Sequence, residues 1–101
     1  MWSYQAPLRD MQFVLEHWLQ APMAWHRSPA FEGLDLPLAV QVLEEAGRFS
    51  QGVLAPLNSS GDRQGCRWTA RQVSTPDGFA DAYRAYVDGG WPALACAEAL
   101  G

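Results

Sequence analysis

Apolar residues recur at helical spacing in three stretches of the chain. In the first stretch they stand three and four residues apart, which places them on one face of a helix: Met11, Val14, Leu15, Trp18 and Leu19. Asp10 stands just before this run and can cap a helix N-terminus, and Pro22 stands after it and can end the helix. The pattern predicts a first helix over residues 10–20.

The longest apolar stripe follows Asp35. It repeats every 3.6 residues: Ala39, Val42, Leu43, Ala46, Phe49, Val53 and Leu54. Pro37 fits the first turn of such a helix. Gly47 and Gly52 each lower intrinsic helix stability by up to ~1 kcal/mol relative to alanine, so we expect another helix to approach closely at both. The second helix is predicted over residues 36–55.

The third stripe lies between clear start and stop signals. Thr75 can cap a helix, and Pro76 suits its first position. Gly89-Gly90 suits its end, because glycine adopts the left-handed conformation at little cost. The apolar face comprises Phe79, Ala82, Tyr83, Tyr86 and Val87. These signals predict a third helix over residues 76–88, and Pro92 predicts a short C-terminal helix over residues 92–100.

The stretches between these helices lack a sustained period. Residues 21–34 are rich in proline and glycine and are predicted to be a loop with a short helical turn near Ser28 to Phe31. Residues 56–74 open with a proline and a polar run and are predicted to be mostly coil, apart from a short extended piece within residues 67–73. The expected fold class is all-α, a small irregular helical bundle.

Composition narrows the class of protein. A chain of 101 residues with 49% hydrophobic and 18% charged residues is typical of one globular domain, here residues 1–101. The net charge of −4, with seven scattered arginines as the only basic side chains, argues against a nucleic-acid partner. No apolar run approaches the ~20 residues of a membrane helix, and the N-terminus lacks signal-peptide features. We therefore expect a cytoplasmic protein with no membrane span.

Candidate chemistry is sparse. His17 and His26 stand nine residues apart without a cysteine or carboxylate at ligand spacing, so surface histidines are favoured over a metal site. A catalytic Cys66 would need a base, and neither histidine is placed to supply one. No glycine-rich phosphate loop or nucleophile motif is present. We predict no catalytic, cofactor-binding or metal-binding residue in this chain.

Partner contacts are the remaining candidate sites. Five tryptophans in 101 residues is a high number. Trp18 and Trp91 are expected to pack in the core. For the other three tryptophans, a core role and an interface role are equally expected. Three arginines are the only clustered basic residues. The candidate ligand or partner contacts are Arg63, Arg67, Arg71, Trp2, Trp25 and Trp68.

Three blocks resemble the start of an acyl-CoA dehydrogenase, particularly the bacterial branch with an extra N-terminal segment. The first block is Tyr4-Gln-Ala-Pro-Leu-Arg-Asp-Met11 with Phe13-Val-Leu15. The second comprises Val42-Leu-Glu-Glu-Ala46, Val53-Leu-Ala-Pro-Leu-Asn58 and Ser60-Gly-Asp-Arg63. The third comprises Thr75-Pro76, Gly78-Phe79, Ala82-Tyr-Arg-Ala-Tyr-Val87 and Gly89-Gly-Trp-Pro92. The blocks keep the family's order and span nearly the whole chain.

The resemblance implies the N-terminal helical domain of that family. A complete member adds a middle β-barrel-like domain and a C-terminal four-helix bundle, with FAD between these later parts and the glutamate base usually in the bundle. None of those motifs has a counterpart here. The resemblance therefore implies fold and ancestry, with FAD as the cofactor of the full-length family only. After Ala95 the sequence departs from the family pattern, which favours a free-standing domain over a cut fragment.

Three hypotheses follow. The first is a non-catalytic helical domain that acts in packing or subunit association, either as a homodimer or against a flavin-domain partner. The alternative is a fragment or subunit of an FAD-dependent acyl-CoA dehydrogenase, which catalyses α,β-dehydrogenation of acyl-CoA thioesters only with the missing flavin domains. The third is a small acyl- or CoA-binding module with Arg63, Arg67 and Arg71 at a basic mouth.

Overall fold

The computed structural model describes residues 3–100, so Trp2 lies outside the described residues. The chain is predominantly helical, with one two-stranded sheet, which confirms the expected helical class. Its contacts divide it into two compact units, one ending at Ala55 and one beginning at Pro56. Each unit is described by itself, and the number of domains stays a prediction.

The first helix of the first unit starts earlier than predicted. Helix α1 spans Leu8–Phe13 and continues as a π-helical turn over Val14–Trp18. Asp10 lies inside α1 and is not its cap, because the helix follows Pro7 without a side-chain cap. The helical run breaks where Gln20 adopts a left-handed conformation, with φ of 48°.

Pro22 belongs to the start of a helix and does not end one. Helix α2 spans Ala21–His26 with the proline in its first turn, where the missing N–H needs no partner. The loop prediction for residues 21–34 is therefore wrong in its first half. The short turn is confirmed as a 3-10 helix over Pro29–Phe31.

Helix α3 forms nearly as predicted. It spans Leu36–Phe49 and continues as a π-helical turn over Ser50–Leu54. The Leu38 N–H donates to Asp35 Oδ1 at 2.9 Å, which caps the helix. Gly47 is buried, and a Cβ there would lie 3.3 Å from the Leu8 side chain, so the close approach is confirmed at this position. At Gly52 nothing lies within 4 Å, so the expected approach is wrong there.

The second unit begins with a helix where coil was predicted. Helix α4 spans Pro56–Gln64, so the prediction for residues 56–74 is wrong over this part. Proline is again tolerated in a first turn, and the Ser60 hydroxyl donates to the Pro56 carbonyl at 3.4 Å. Gly61 is buried in α4, and a Cβ there would lie 2.6 Å from the Phe79 ring.

A β-hairpin follows α4. Strand β1, Arg67–Thr69, pairs antiparallel with strand β2, Gln72–Ser74. Ala70 and Arg71 form the two-residue turn with φ of 51° and 67°, as a type I′ turn requires. The extended piece expected within residues 67–73 is therefore a complete hairpin. Its turn lacks the Asn-Gly or Asp-Gly pair that usually signals this geometry.

Helix α5 spans Phe79–Asp88 and starts later than predicted. Its N-cap is Gly78, with φ of 88°, so Thr75 and Pro76 precede the helix and do not cap it. The stop at the glycine pair is confirmed, with Gly90 left-handed at φ of 78°.

The predicted C-terminal helix over residues 92–100 is wrong. Two 3-10 turns, Trp91–Ala93 and Glu98–Leu100, occupy this stretch instead. Nine residues fall short of the ~12–15 that an isolated α-helix needs for marginal stability in water.

Little of the described chain is buried. The buried residues are all small or compact: Ala21, Gly47, Gly61, Pro76 and Ala82. Sixteen large hydrophobic side chains of the described residues are exposed, among them Trp18 at 77%, so its predicted core role is wrong. Trp91 is half-buried.

Candidate functional site

The three candidate arginines lie close in sequence but on different elements of the second unit. Arg63 is in the last turn of α4, Arg67 begins β1, and Arg71 is in the hairpin turn. All three are exposed. Arg67 is the first residue of β1, and Arg71 lies in the turn beyond its last residue, Thr69, so at least the length of β1, about 7 Å, separates their positions along the hairpin. The three arginines therefore lie on one segment of the chain but do not line a common pocket.

The positive charge of the segment that carries these arginines is only weakly neutralised by acidic side chains. Arg67 Nη2 lies 4.0 Å from Asp77 Oδ1, and the two side chains are 64% and 90% exposed. An ion pair this exposed contributes little, about 0–1 kcal/mol. Within residues 3–100, neither Arg63 nor Arg71 has an ion-pair partner. Positive charge on the segment therefore remains available to a partner.

The candidate tryptophans fall into different environments. Trp68 stands in the middle of β1 directly opposite Val73 of β2, and these side chains are 72% and 66% exposed. Trp25 is a half-buried residue of α2. Trp2 lies outside the described residues. Of the three, Trp68 is the one that the structure places on an open surface beside the arginines.

A groove of about 500 Å³ lies in the first unit beside Trp25. Its walls come from the end of α2, the 3-10 helix and the residues up to Asp35. It carries charges of both signs, from Arg27 and Glu32 among others. The Asp35 carboxylate is already used to cap α3. The mixed lining selects no single class of ligand.

A second groove, of about 400 Å³, has an almost wholly apolar lining. The first helix contributes most of its wall and α3 contributes one leucine: Asp10, Met11, Val14, Leu15 and Leu43. The apolar stripe predicted for the first helix continues to Trp18 and Leu19, which are 77% and 58% exposed. We call this stripe, residues 11, 14, 15, 18 and 19, the α1 apolar face. Its geometry suits an apolar partner element.

Helix α5 presents a comparable face in the second unit. Its apolar residues recur at i, i+4, i+7 and i+8 and are 38–69% exposed: Phe79, Tyr83, Tyr86 and Val87. We call this the α5 apolar face. Sequence periodicity identified these residues as one apolar stripe, but the same pattern does not show whether the partner that covers it is internal or external.

No catalytic constellation emerges from the described residues. Within residues 3–100, no group of three or more histidine, cysteine or acidic side chains is arranged to hold a metal. The ring of His17 packs against Phe13, with centroids 5.4 Å apart. Cys66 and Cys96 are exposed free thiols.

No orphaned polar group marks a flavin site among the described residues, since no buried side-chain nitrogen or oxygen among them lacks a hydrogen-bond partner. We also find no helix in the described part of the chain with the length and apolar character of a membrane span.

No protein-family model matches this chain. The chain is 39% identical over 92 residues to the 3-methylmercaptopropionyl-CoA dehydrogenase of Ruegeria pomeroyi. The match covers 91% of this chain and 16% of that relative. It agrees with the three sequence blocks that resemble acyl-CoA dehydrogenases. The chain is therefore similar to one segment of an acyl-CoA dehydrogenase, and it spans 16% of the length of that relative.

Proposed function

We propose that this chain is a non-catalytic helical part of an FAD-dependent acyl-CoA dehydrogenase. In this proposal, its apolar helix faces pack against the polypeptide that holds the flavin. The observation that carries the proposal is the exposure of both the α1 and the α5 apolar faces, while only small residues are buried. Apolar stripes of this extent on a helical segment are typical of surfaces that another part of a protein covers.

The reaction assigned to the assembled enzyme is α,β-dehydrogenation of an acyl-CoA thioester. The support for this assignment is the similarity to acyl-CoA dehydrogenases and the relative, which is named for a CoA thioester. FAD supplies the redox chemistry when it is bound to the flavin-holding polypeptide. The residues described here hold no acid, base or donor for that reaction. Their contribution is to cover and order the surface on which they pack.

A chimeric enzyme tests this role. The 92 matched residues of the Ruegeria dehydrogenase are replaced by the corresponding residues of this chain, and flavin content and acyl-CoA-dependent dye reduction are measured. We expect the chimera to retain both. The double substitution Val14→Ser and Trp18→Ser on the α1 apolar face should lower flavin retention and thermal stability. The matched control is Glu44→Gln on the exposed side of α3.

Two outcomes contradict the proposal. One is a yellow preparation of this chain alone that reduces dye with an acyl-CoA thioester. The other is a chimera whose flavin content and stability are unchanged by the α1 substitutions.

Self-association is the alternative use of the same surfaces. A two-fold homodimer would cover part of both apolar faces in the isolated chain. Sedimentation of the purified chain separates the two cases. A monomer at micromolar concentration contradicts the homodimer and leaves the flavin-holding polypeptide as the partner.

A further inference from the structure

The hairpin of the second unit is exposed along its whole length. Every residue from Cys66 to Thr75 is exposed, including both strands and the turn. A two-stranded hairpin is at best marginally stable in water unless a further strand or a helix packs on it. Its strands have only three residues each. The hairpin is therefore a surface that needs a partner.

The register leaves backbone groups open at the outer edge of β1. Because the turn has two residues, Thr69 and Gln72 form the hydrogen-bonded pair next to it, and Trp68 and Val73 form a non-hydrogen-bonded pair. The N–H and C=O of Trp68 consequently point away from β2. Within residues 3–100, no hydrogen bond from another segment reaches them. An added strand can pair with these groups.

The two faces of the hairpin differ in chemistry. Side chains alternate along a strand, so Trp68 and Val73 share one face. The opposite face carries Arg67, Thr69, Gln72 and Ser74. One face is apolar and exposed, and the other is polar with a cation.

The charge of the segment selects the partner. Residues 63–76 contain three arginines and no acidic residue, although the chain as a whole has a net charge of −4. Asp62 and Asp77 flank this segment, and Asp77 Oδ1 lies 4.0 Å from Arg67 Nη2. A basic surface within an acidic chain is complementary to an acidic segment.

We propose that β1 accepts an acidic, extended peptide segment as a third strand of this sheet. The proposal rests on the proposed function, since the segment is supplied by the flavin-holding polypeptide. Main-chain hydrogen bonds to Trp68 give the register. The apolar side chains of the segment pack beside Trp68, on the face that Trp68 shares with Val73. Its acidic side chains, on the other face and at the turn, reach Arg67 and Arg71.

Peptide binding tests the proposal on the chain as it exists. The probe is a capped Glu-Val-Glu-Val-Glu-Val peptide, followed by the chemical shifts of backbone amides in the isotope-labelled chain. We expect saturable shifts centred on β1, with the Trp68 amide among the largest. A Lys-Val-Lys-Val-Lys-Val peptide should bind about tenfold more weakly or worse, because its charges oppose the arginines. The Glu-Val peptide with N-methylated strand amides should not bind.

Variants of the chain separate charge from folding. The double substitution Arg67→Glu and Arg71→Glu should weaken Glu-Val peptide binding about tenfold. Both residues are exposed, so the remaining amide spectrum should be unchanged. The matched control is Arg84→Glu on α5, outside the hairpin, which should leave binding unchanged.

Three outcomes overturn the strand proposal: no saturable binding, equal binding of the Lys-Val peptide, or shifts that avoid β1. The chimera experiment reports separately on the proposed function. If the chimera retains flavin but the peptide does not bind, the proposed function is supported and the added strand is contradicted.

Discussion

Both units of the molecule bring an apolar side chain against a buried helical glycine, but the two contacts differ in how much they can yield. In the first unit, a Cβ at Gly47 would lie 3.3 Å from a methyl carbon of Leu8, the far end of a flexible side chain. In the second, a Cβ at Gly61 would lie 2.6 Å from two ring atoms of Phe79. A methyl-sized neighbour can rotate away, whereas an aromatic ring moves as one rigid body. Replacing the glycine with alanine should therefore cost little at Gly47 and more at Gly61.

The units also differ in what they leave uncovered. The first exposes an apolar helix face with a groove beside it, and the second exposes an apolar helix face and a hairpin with an open edge. In both units the packed positions are occupied by small residues, so the large side chains remain for contacts elsewhere. The glycine contacts give the means to test each unit separately.

The largest expected effect is at Gly78 of the second unit. Gly78→Ala places a Cβ 2.8 Å from the Leu57 side chain at a φ of +88°. We expect a loss of about 1–3 kcal/mol, mainly from left-handed strain, because the contact is with the far end of the flexible Leu57 side chain, which can shift at a small cost. Gly33→Ala in the first unit is the matched control, since φ is +86° and nothing lies within 4 Å. It should cost about 1–2 kcal/mol from strain alone. Urea unfolding followed by circular dichroism measures both, and equal losses would contradict the role of Leu57.

The next comparison uses the two buried helical glycines. Gly61→Ala should destabilise the chain by about 1–2 kcal/mol, because overpacking against Phe79 exceeds the helix-propensity gain of ~1 kcal/mol. Gly47→Ala should change the unfolding free energy by less than about 0.5 kcal/mol, since the gain offsets a small shift of Leu8. The double variant Gly61→Ala with Phe79→Leu should recover part of the loss. If Gly47→Ala lowered the unfolding free energy as much as Gly61→Ala, the proposed difference between the two units would be wrong.

Gly52 of the first unit supplies a change in the opposite direction. No atom lies within 4 Å of the position a Cβ would take, and φ is not in the left-handed region. Gly52→Ala should therefore stabilise the chain by up to about 1 kcal/mol through helix propensity. A higher urea midpoint with an unchanged slope is the expected result. A lower midpoint would show that the π-helical turn over Ser50–Leu54 needs glycine.

The smallest expected effect is at an exposed tryptophan. Trp18 is 77% exposed, so Trp18→Ser should change the stability of the isolated chain by no more than about 0.5 kcal/mol. The same urea experiment measures it. A loss of several kcal/mol would mean that the side chain is covered in the isolated protein, as self-association would produce.

Some elements could be read from the sequence because local signals sufficed. The α3 helix combines an aspartate cap, a proline in the first turn and a sustained 3.6-residue period, and it forms where predicted. The Gly89-Gly90 stop of α5 and the turn at Pro29–Phe31 were likewise predicted. Each signal acts within a few residues of the backbone it controls.

Other elements were not predicted correctly, because the same residue type can end one helix and begin another. Pro22 and Pro56 were interpreted as stops, but each stands at the beginning of a helix, where a missing N–H costs nothing. The hairpin turn Ala70-Arg71 adopts positive φ without glycine or asparagine. Among the candidate contacts, the exposure of Trp68 beside the arginines agrees with an interface role, and the open edge of β1 had no signal in the sequence.

The sequence by itself determined that this chain is helical, that its apolar residues form stripes, and that it resembles acyl-CoA dehydrogenases. Periodicity and capping are local properties, so they can be read without knowing what each stripe contacts. Only the tertiary structure decided which side chains are covered. It placed small residues at the packed positions and left Trp18, Trp68 and the α5 apolar face exposed. The physical reason is that burial depends on neighbours distant in sequence. The spacing of apolar residues does not indicate whether the partner that covers them lies within the chain.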